Sequence, residues 1–176
     1  MDKKDSLLAK IYGIYEISMR GKEYHCVVMQ NLFFGIENIT KVYDLKGSEV
    51  NRLTMPETEK SYTGQDTNFK IDKDNEPYII EGEDYERVME ILENDANFLR
   101  ESEVIDYSLL AIEFWQEGRN NLRLGVIDFM RPYHILEKIE NMYKKAKMGN
   151  DPTVIPPENY SERFITAMRK YFIKVN

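Results

Sequence analysis

A chain of 176 residues with 42% hydrophobic content can bury one core, and its formal charge of −7 excludes a general nucleic-acid binder, which is expected to be basic. Its single cysteine, Cys26, cannot close an internal disulfide, which fits a reducing compartment and a cytoplasmic protein. His25 and His134 lack metal-ligand spacing with cysteine, so zinc is not expected, and no apolar run reaches the roughly 18 residues that signal a transmembrane helix. The opening MDKKDSLLAK is too short and too acidic for a signal peptide.

In chain order, residues 12–19 are rich in β-branched and aromatic types and read as a strand, with a hairpin turn at 20–23 around Gly21. Residues 24–34, YHCVVMQNLFF, form the next strand. Their continuous apolar run implies burial on both faces, with Cys26 as a small core residue. Gln30 and Asn31 interrupt the run and begin an extended connector. Residues 39–52 start as a strand and turn at Lys46-Gly47-Ser48. In such a turn glycine lets backbone N–H groups approach an anion, lysine supplies a point charge, and aspartate orients a cation or a hydroxyl. An ordinary turn with solvated charges has the same pattern.

Residues 53–83 are polar and turn-rich and read as a long loop or insertion. Asp72, Asp74, Glu76 and Glu83 fall on calcium-loop offsets, but Pro77 stands where that loop needs glycine and no helix is expected to lead in. From Tyr85, the residues Val88, Met89, Leu92, Ala96 and Leu99 recur at helical spacing, which predicts an amphipathic helix over 84–100.

Two apolar runs follow, 107–115 and 122–127, with a polar, glycine-containing turn at 116–121 between them. Asp106 precedes the first run and Asp128 follows the second, so an antiparallel hairpin brings two carboxylates to its open end. Directly opposed Cβ atoms lie roughly 4.5–5.5 Å apart, a costly arrangement unless a cation, a shared proton or catalysis justifies it. Two solvated strand-end aspartates are the plain alternative.

Residues 131–151 carry an apolar stripe flanked by lysines. Between Arg131 and Met148 five basic and two acidic residues give a local +3 in an acidic protein. This suits an anionic membrane surface, and a surface helix with a solvated lysine face fits equally well. Pro157 and Glu158 then open a last helix running through Phe172. Neither a Walker glycine loop, a G-x-G-x-x-G, a G-x-S-x-G nor an H-R-D loop occurs.

Taken together, VVMQNLF (27–33), YDLKGSEVNR (43–52), VIDYSLL (104–110), LGVIDF (124–129) and PTVIPPENYSERF (152–164) resemble the phosphatidylinositol phosphate kinases, in the family's order and over nearly the whole chain. The resemblance implies an α+β, protein-kinase-like carboxy-terminal lobe, an antiparallel sheet with packed helices, spanning 1–176 as one domain. It further implies ATP-dependent phosphorylation of an inositol ring hydroxyl, expected to be the 5-hydroxyl, of a monophosphorylated phosphatidylinositol in an anionic membrane. The protein is then expected to sit peripherally on the cytosolic face of the plasma membrane or an endomembrane.

Carried over residue by residue, Asp106 orients the attacking hydroxyl and Asp128 holds Mg²⁺ bridging the ATP phosphates. Lys46 reaches phosphate with Asp44 and Arg52 in support, and Gln30, Asn31 and Leu32 form the adenine hinge. Residues 131–153 become the activation loop, in which Lys138, Glu140, Lys144 and Lys145 meet the lipid. Glu140 matches the family's 5-kinase pattern, whereas Glu137 replaces a lysine, and weaker lipid binding is expected. The 152–164 tail is most similar to the branch that acts on phosphatidylinositol 3-phosphate. The family's glycine-rich loop and phosphate lysine are expected ahead of Ser6, where five residues stand. The expectations are therefore a lipid-kinase lobe that needs an amino-terminal partner lobe or, alternatively, a non-catalytic phosphoinositide- or partner-binding lobe.

Overall fold

The computed structural model describes residues 5–55, 63–134 and 155–175. Strands β1 (Ile11–Met19), β2 (Lys22–Met29) and β3 (Ile39–Leu45) are followed by helix α1 (Asp66–Asp72), strand β4 (Tyr78–Ile80) and helix α2 (Gly82–Glu101). Strands β5 (Ser108–Gln116) and β6 (Arg119–Ile127), helix α3 (Pro157–Tyr171) and strand β7 (Phe172–Lys174) complete the described elements. The class is α+β, as expected. The central sheet is antiparallel in the order β3-β5-β6, and β4 and β7 form a short parallel pair.

The β5–β6 hairpin closes through two residues, Glu117 and Gly118, at φ 55° and 76°. Positive φ at both central positions matches the right-handed twist of paired strands. The expected six-residue turn shrinks because Arg119, Asn120 and Asn121, though polar, pair with Gln116, Trp115 and Phe114. Asn121 Nδ2 also donates to the Gln116 and Arg119 carbonyls, at 3.1 and 3.0 Å. This moves the register by half a residue. The ladder ends at Ser108↔Ile127, with Asp106 two residues before that pair and Asp128 one residue after it, so the two aspartates are staggered at the hairpin mouth.

Alternation along these strands separates two faces. Leu109, Ala111, Val126, Tyr43 and Leu45 point into the main core with Met89, Leu92, Ala96 and Leu99 of α2 and Phe164 and Met168 of α3. The opposite face carries Leu110 and Ile112, covered by Leu32 with Ile36, Val42 and Ile127. The predicted helix at 84–100 is α2, extended by two residues at its start and one at its end.

Residues 53–83, read as a loop, hold both α1 and β4. Seven residues are too few to show helical periodicity. The local driving force is one aromatic: Phe69 is buried, with its ring 5.1 Å from Tyr43 edge-on and 5.3 Å from Tyr171. A helix therefore does lead into the calcium-like offsets. Its Asp72 is engaged by Lys41 Nζ and Tyr43 Oη, each at 2.8 Å.

Strands β1 and β2 pair as read, turning at Arg20 and Gly21. The burial expected throughout 24–34 is found at Leu32 and not on the ribbon. Tyr12, Ile14 and Val28 are 64, 71 and 48% exposed, and Cys26 is only half-buried. A two-stranded ribbon cannot cover its own faces, and among the described residues no layer packs on it.

Ahead of the ribbon, Leu8 forms a parallel bridge with Val126, and Ala9 N–H donates to the Val126 carbonyl at 2.9 Å. Ser6 Oγ and Leu7 N–H donate to the buried Asp95 carboxylate of α2 at 2.8 and 2.7 Å. Burial pushes the Asp95 carboxyl above its ordinary value, and these hydrogen bonds offset only part of the rise. Folding thus opposes its ionisation. Its contribution is fully present below the ordinary aspartate range and falls as pH rises towards the raised folded value. Relative to Asp95→Asn, the wild-type chain loses stability over that rise. Urea unfolding from about pH 4 to 7 measures the difference, and a difference independent of pH contradicts the assignment.

Candidate functional site

Strand β3 ends on the buried Leu45, and the chain then turns sharply against α3. Gly47 sits at φ 71°, where a Cβ would stand 2.8 Å from Ala167 Cβ and 3.1 Å from the Arg163 carbonyl oxygen. Both the backbone angle and the close approach exclude a side chain there. The turn does present its N–H groups to an anion, but the anion is internal. Asp66 is fully buried, and its Oδ1 accepts from Gly47 N–H at 2.7 Å and Tyr171 Oη at 3.0 Å. Lys46 N–H donates to both carboxylate oxygens at 3.2 Å, and Arg52 Nε donates to Oδ2 at 2.9 Å. Burial drives the Tyr171 hydroxyl well above its ordinary pKa, and the Asp66 charge adds to the rise.

Arg52, expected in support of Lys46, lies beneath the turn and is 13% exposed. Its Nη2 donates to the Asp44 carbonyl at 2.5 Å and to Asp44 Oδ1 at 2.6 Å. Burial pulls its pKa down, and the bonds and charges of Asp44 and Asp66 outweigh that, leaving it raised. Asp44 Oδ2 accepts from the buried Ser108 hydroxyl at 3.0 Å, which ties the turn to the start of β5.

At that start, Tyr107 points inward against Tyr160 and Phe164, with ring centroids at 4.8 and 5.0 Å. Its burial pushes the phenol up to about 12. Tyr160 Oη donates to the Tyr107 carbonyl at 2.5 Å, fixing the strand end to α3. Asp106, immediately before it, adopts φ 67°. Lys46 Nζ donates to the Asp106 carbonyl at 2.8 Å and to its Oδ1, while Arg131 Nη1 donates to Oδ2 at 2.5 Å. The electrostatic cost of a carboxylate at the hairpin mouth is thus met by two cations. Asp128, at φ 61°, is exposed and has no hydrogen bond or ion pair among the described residues.

The structure therefore joins Asp44, Lys46, Arg52 and Asp106 in one network and leaves Asp128 open at the same end of the sheet. Gln30, Asn31 and Leu32 do not join it. Gln30 N–H donates to the Lys10 carbonyl at 2.7 Å, its Oε1 accepts from Lys10 N–H at 3.2 Å, and Asn31 Oδ1 caps Phe33 N–H at 2.9 Å. Leu32 is buried over Gly125, where an added Cβ would come within 2.4 Å of Leu32 Cδ1. Leu32 nevertheless packs on the sheet face that carries Ser108 and Ile127, the side of the hairpin mouth. Lys138, Glu140, Lys144 and Lys145 lie outside the described residues.

Sequence reading missed Asp66 and Arg131. The first has a weak local signal in Gln65-x-x-Asn68: Asn68 Oδ1 accepts Gln65 N–H at 3.0 Å, one half of a capping box that opens α1. The second stands three residues after Asp128, with its carbonyl accepting from Ile105 N–H at 3.2 Å.

A family model for phosphatidylinositol-4-phosphate 5-kinase matches residues 1–120 and 111–171. A Drosophila melanogaster protein named putative 1-phosphatidylinositol 3-phosphate 5-kinase is 35% identical over 182 residues, covering 98% of this chain and 10% of that protein. The Arabidopsis thaliana 1-phosphatidylinositol-3-phosphate 5-kinase FAB1A is 39% identical over 186 residues, with 98 and 10% covered. The human 1-phosphatidylinositol 3-phosphate 5-kinase is 34% identical over 187 residues, with 98 and 9% covered. The chain spans about a tenth of the length of these curated relatives.

Proposed function

The chain belongs to the phosphatidylinositol-4-phosphate 5-kinase family, and from that premise we propose that it forms one wall of a lipid-kinase active site in a protein-kinase-like fold. The wall serves ATP-dependent transfer of the γ-phosphate to the 5-hydroxyl of a monophosphorylated phosphatidylinositol, at the cytosolic face of an anionic membrane. The observation that carries this reading is the hairpin mouth, where a Lys46-clamped Asp106 and an open Asp128 meet at one end of the sheet. The relatives' names favour the 3-phosphate lipid as acceptor, and Glu140 fits the 5-kinase pattern.

Asp106 orients the ring hydroxyl and accepts its proton as the ring oxygen bonds to the γ-phosphorus and the bond from that phosphorus to the β–γ bridging oxygen breaks, releasing ADP. Lys46 holds that carboxylate in place and steadies the phosphate beside it, while Asp66, Arg52 and Asp44 fix the turn from which Lys46 reaches. Asp128, exposed and without a partner among the described residues, would hold Mg²⁺, an ion that proteins bind through one or two carboxylates. When bound, the ion supplies charge neutralisation on the phosphates.

The test joins this chain to the amino-terminal kinase lobe of a relative and supplies ATP, Mg²⁺ and vesicles containing phosphatidylinositol 3-phosphate or 4-phosphate. Product carrying a new 5-phosphate is expected, with the 3-phosphate lipid preferred. No transfer to either lipid, with both lobes folded, sinks the proposal. A second reading, a phosphoinositide-binding lobe without transfer, draws on the ion pairs that occupy both Asp106 oxygens. It requires vesicle binding that survives Asp106→Asn and Asp128→Asn in a chain without nucleotide affinity.

A further inference from the structure

The cations around Asp106 differ sharply in how far they can turn outward. Lys46 is 18% exposed and directs its ammonium to the Asp106 carbonyl and Oδ1. Arg52 is 13% exposed and bound to Asp44 and Asp66. Arg131 is 61% exposed, and its bond to Asp106 Oδ2 uses one of the five guanidinium N–H donors. Its backbone is nonetheless fixed. The Arg131 carbonyl accepts from Ile105 N–H, Pro132 bridges to Val104, and Tyr133 N–H donates to the Glu103 carbonyl at 2.8 Å. A pinned backbone carrying an open guanidinium beside the hydroxyl-orienting carboxylate is built to receive an anion.

The geometry points to Arg131 as the residue that takes the phosphate already present on the inositol ring, releasing Asp106 as it does so. This rests on the lipid-kinase reading for its substrate. A guanidinium fork matches a phosphate monoester in two parallel hydrogen bonds, and the dianion outbids a carboxylate oxygen whose charge Lys46 already offsets. Once Arg131 turns away, Oδ2 is open to the ring hydroxyl while Lys46 keeps Oδ1. Recognition of the existing phosphate and exposure of Asp106 are then one event. Phosphatidylinositol without a ring phosphate cannot trigger it. The assignment is to the lipid rather than the nucleotide because Arg131 pairs with Asp106, on the acceptor side, and not with Asp128.

The test uses the full chain and sedimentation with phosphatidylcholine vesicles containing either a phosphatidylinositol monophosphate or phosphatidylserine at matched charge. The wild-type chain is expected to prefer the monophosphate vesicles. Arg131→Met weakens that binding about tenfold and leaves phosphatidylserine binding within about twofold. Arg131→Lys retains part of the preference. Arg119→Met, the same loss of charge at the exposed hairpin tip, leaves the preference intact. The proposal is overturned if the wild type shows no preference, if Arg131→Met behaves like Arg119→Met, if both vesicle types lose binding equally, or if ATP affinity falls instead. Thermal melts identify any unfolded variant, and Arg131→Lys then decides. A monophosphate preference lost with Arg131, in a chain whose chimera transfers no phosphate, sinks the kinase reading and leaves this one standing.

Discussion

Asp66→Ala is expected to lower the unfolding free energy by roughly 3–5 kcal/mol, the range for removing one partner of a buried ion pair. Asp66 has no exposed surface and accepts from Lys46 N–H, Gly47 N–H, Arg52 Nε and Tyr171 Oη. Alanine leaves the Arg52 guanidinium with Asp44 alone in a site 13% exposed, and strands two turn amides. The helix that carries it is held by the burial of Phe69 rather than by the helical propensity of seven residues. Asp66→Asn costs less, since an amide oxygen still serves the turn while the charge on Arg52 loses its complement. In an Arg52→Met background the alanine change costs less again, because the stranded charge is gone. Urea unfolding of Asp66→Ala, Asp66→Asn, Arg52→Met and the Asp66→Ala, Arg52→Met double variant checks this, and a cost below about 1 kcal/mol for Asp66→Ala contradicts the structural role.

Asp128→Asn is expected to lower phosphate transfer by the two-lobed chimera about a thousandfold, corresponding to the several kcal/mol a metal ion contributes to transition-state charge. Stability and vesicle binding should hardly change. Asp128 is exposed, makes no bond among the described residues, and sits at φ 61°, which asparagine tolerates as well as aspartate does. The contrasting variant is Asp106→Asn. There Lys46 and Arg131 lose a charged partner, so transfer and folding stability fall together. Initial rates at saturating lipid, paired with thermal melts, separate the two. Equal loss of stability from both variants, or a transfer rate unchanged in Asp128→Asn, removes the metal role from Asp128.

The hairpin was legible because both its strands are long apolar runs flanked by polar chain, and α2 because five apolar residues recur at one helical period. The sequence hid the register. Asn120 and Asn121 look like turn residues, yet their backbones pair, and the centre of the hairpin shifts by half a residue. Residues 53–83 misled for a different reason. Short elements owe their structure to distant partners, and Phe69 meets Tyr43, Tyr171 and Phe172, which lie far from it in the chain. The ribbon shows the converse error: apolar composition in β2 signals a tendency to be covered, not a cover. In the site, the Asp106 and Asp128 pair emerged from spacing and then from resemblance. Asp66 did not, because its function is defined by four donors that the chain delivers from 14 to 105 residues away.

The β1–β2 ribbon leaves the molecule at Lys10 and returns at Gln30, and those two residues are clasped by a backbone bond of 2.7 Å and a side-chain bond of 3.2 Å. It is therefore a tab with both legs fastened at its base. Bending or peeling it loads the clasp and not the β5–β6 ladder, whose open end borders Asp106 and Asp128. The ribbon's exposed tyrosines and isoleucines can accordingly diversify, or be gripped by another surface, at little risk to the registry of β5 and β6. Changes at Ala9, buried where the leg meets Val126, carry no such licence.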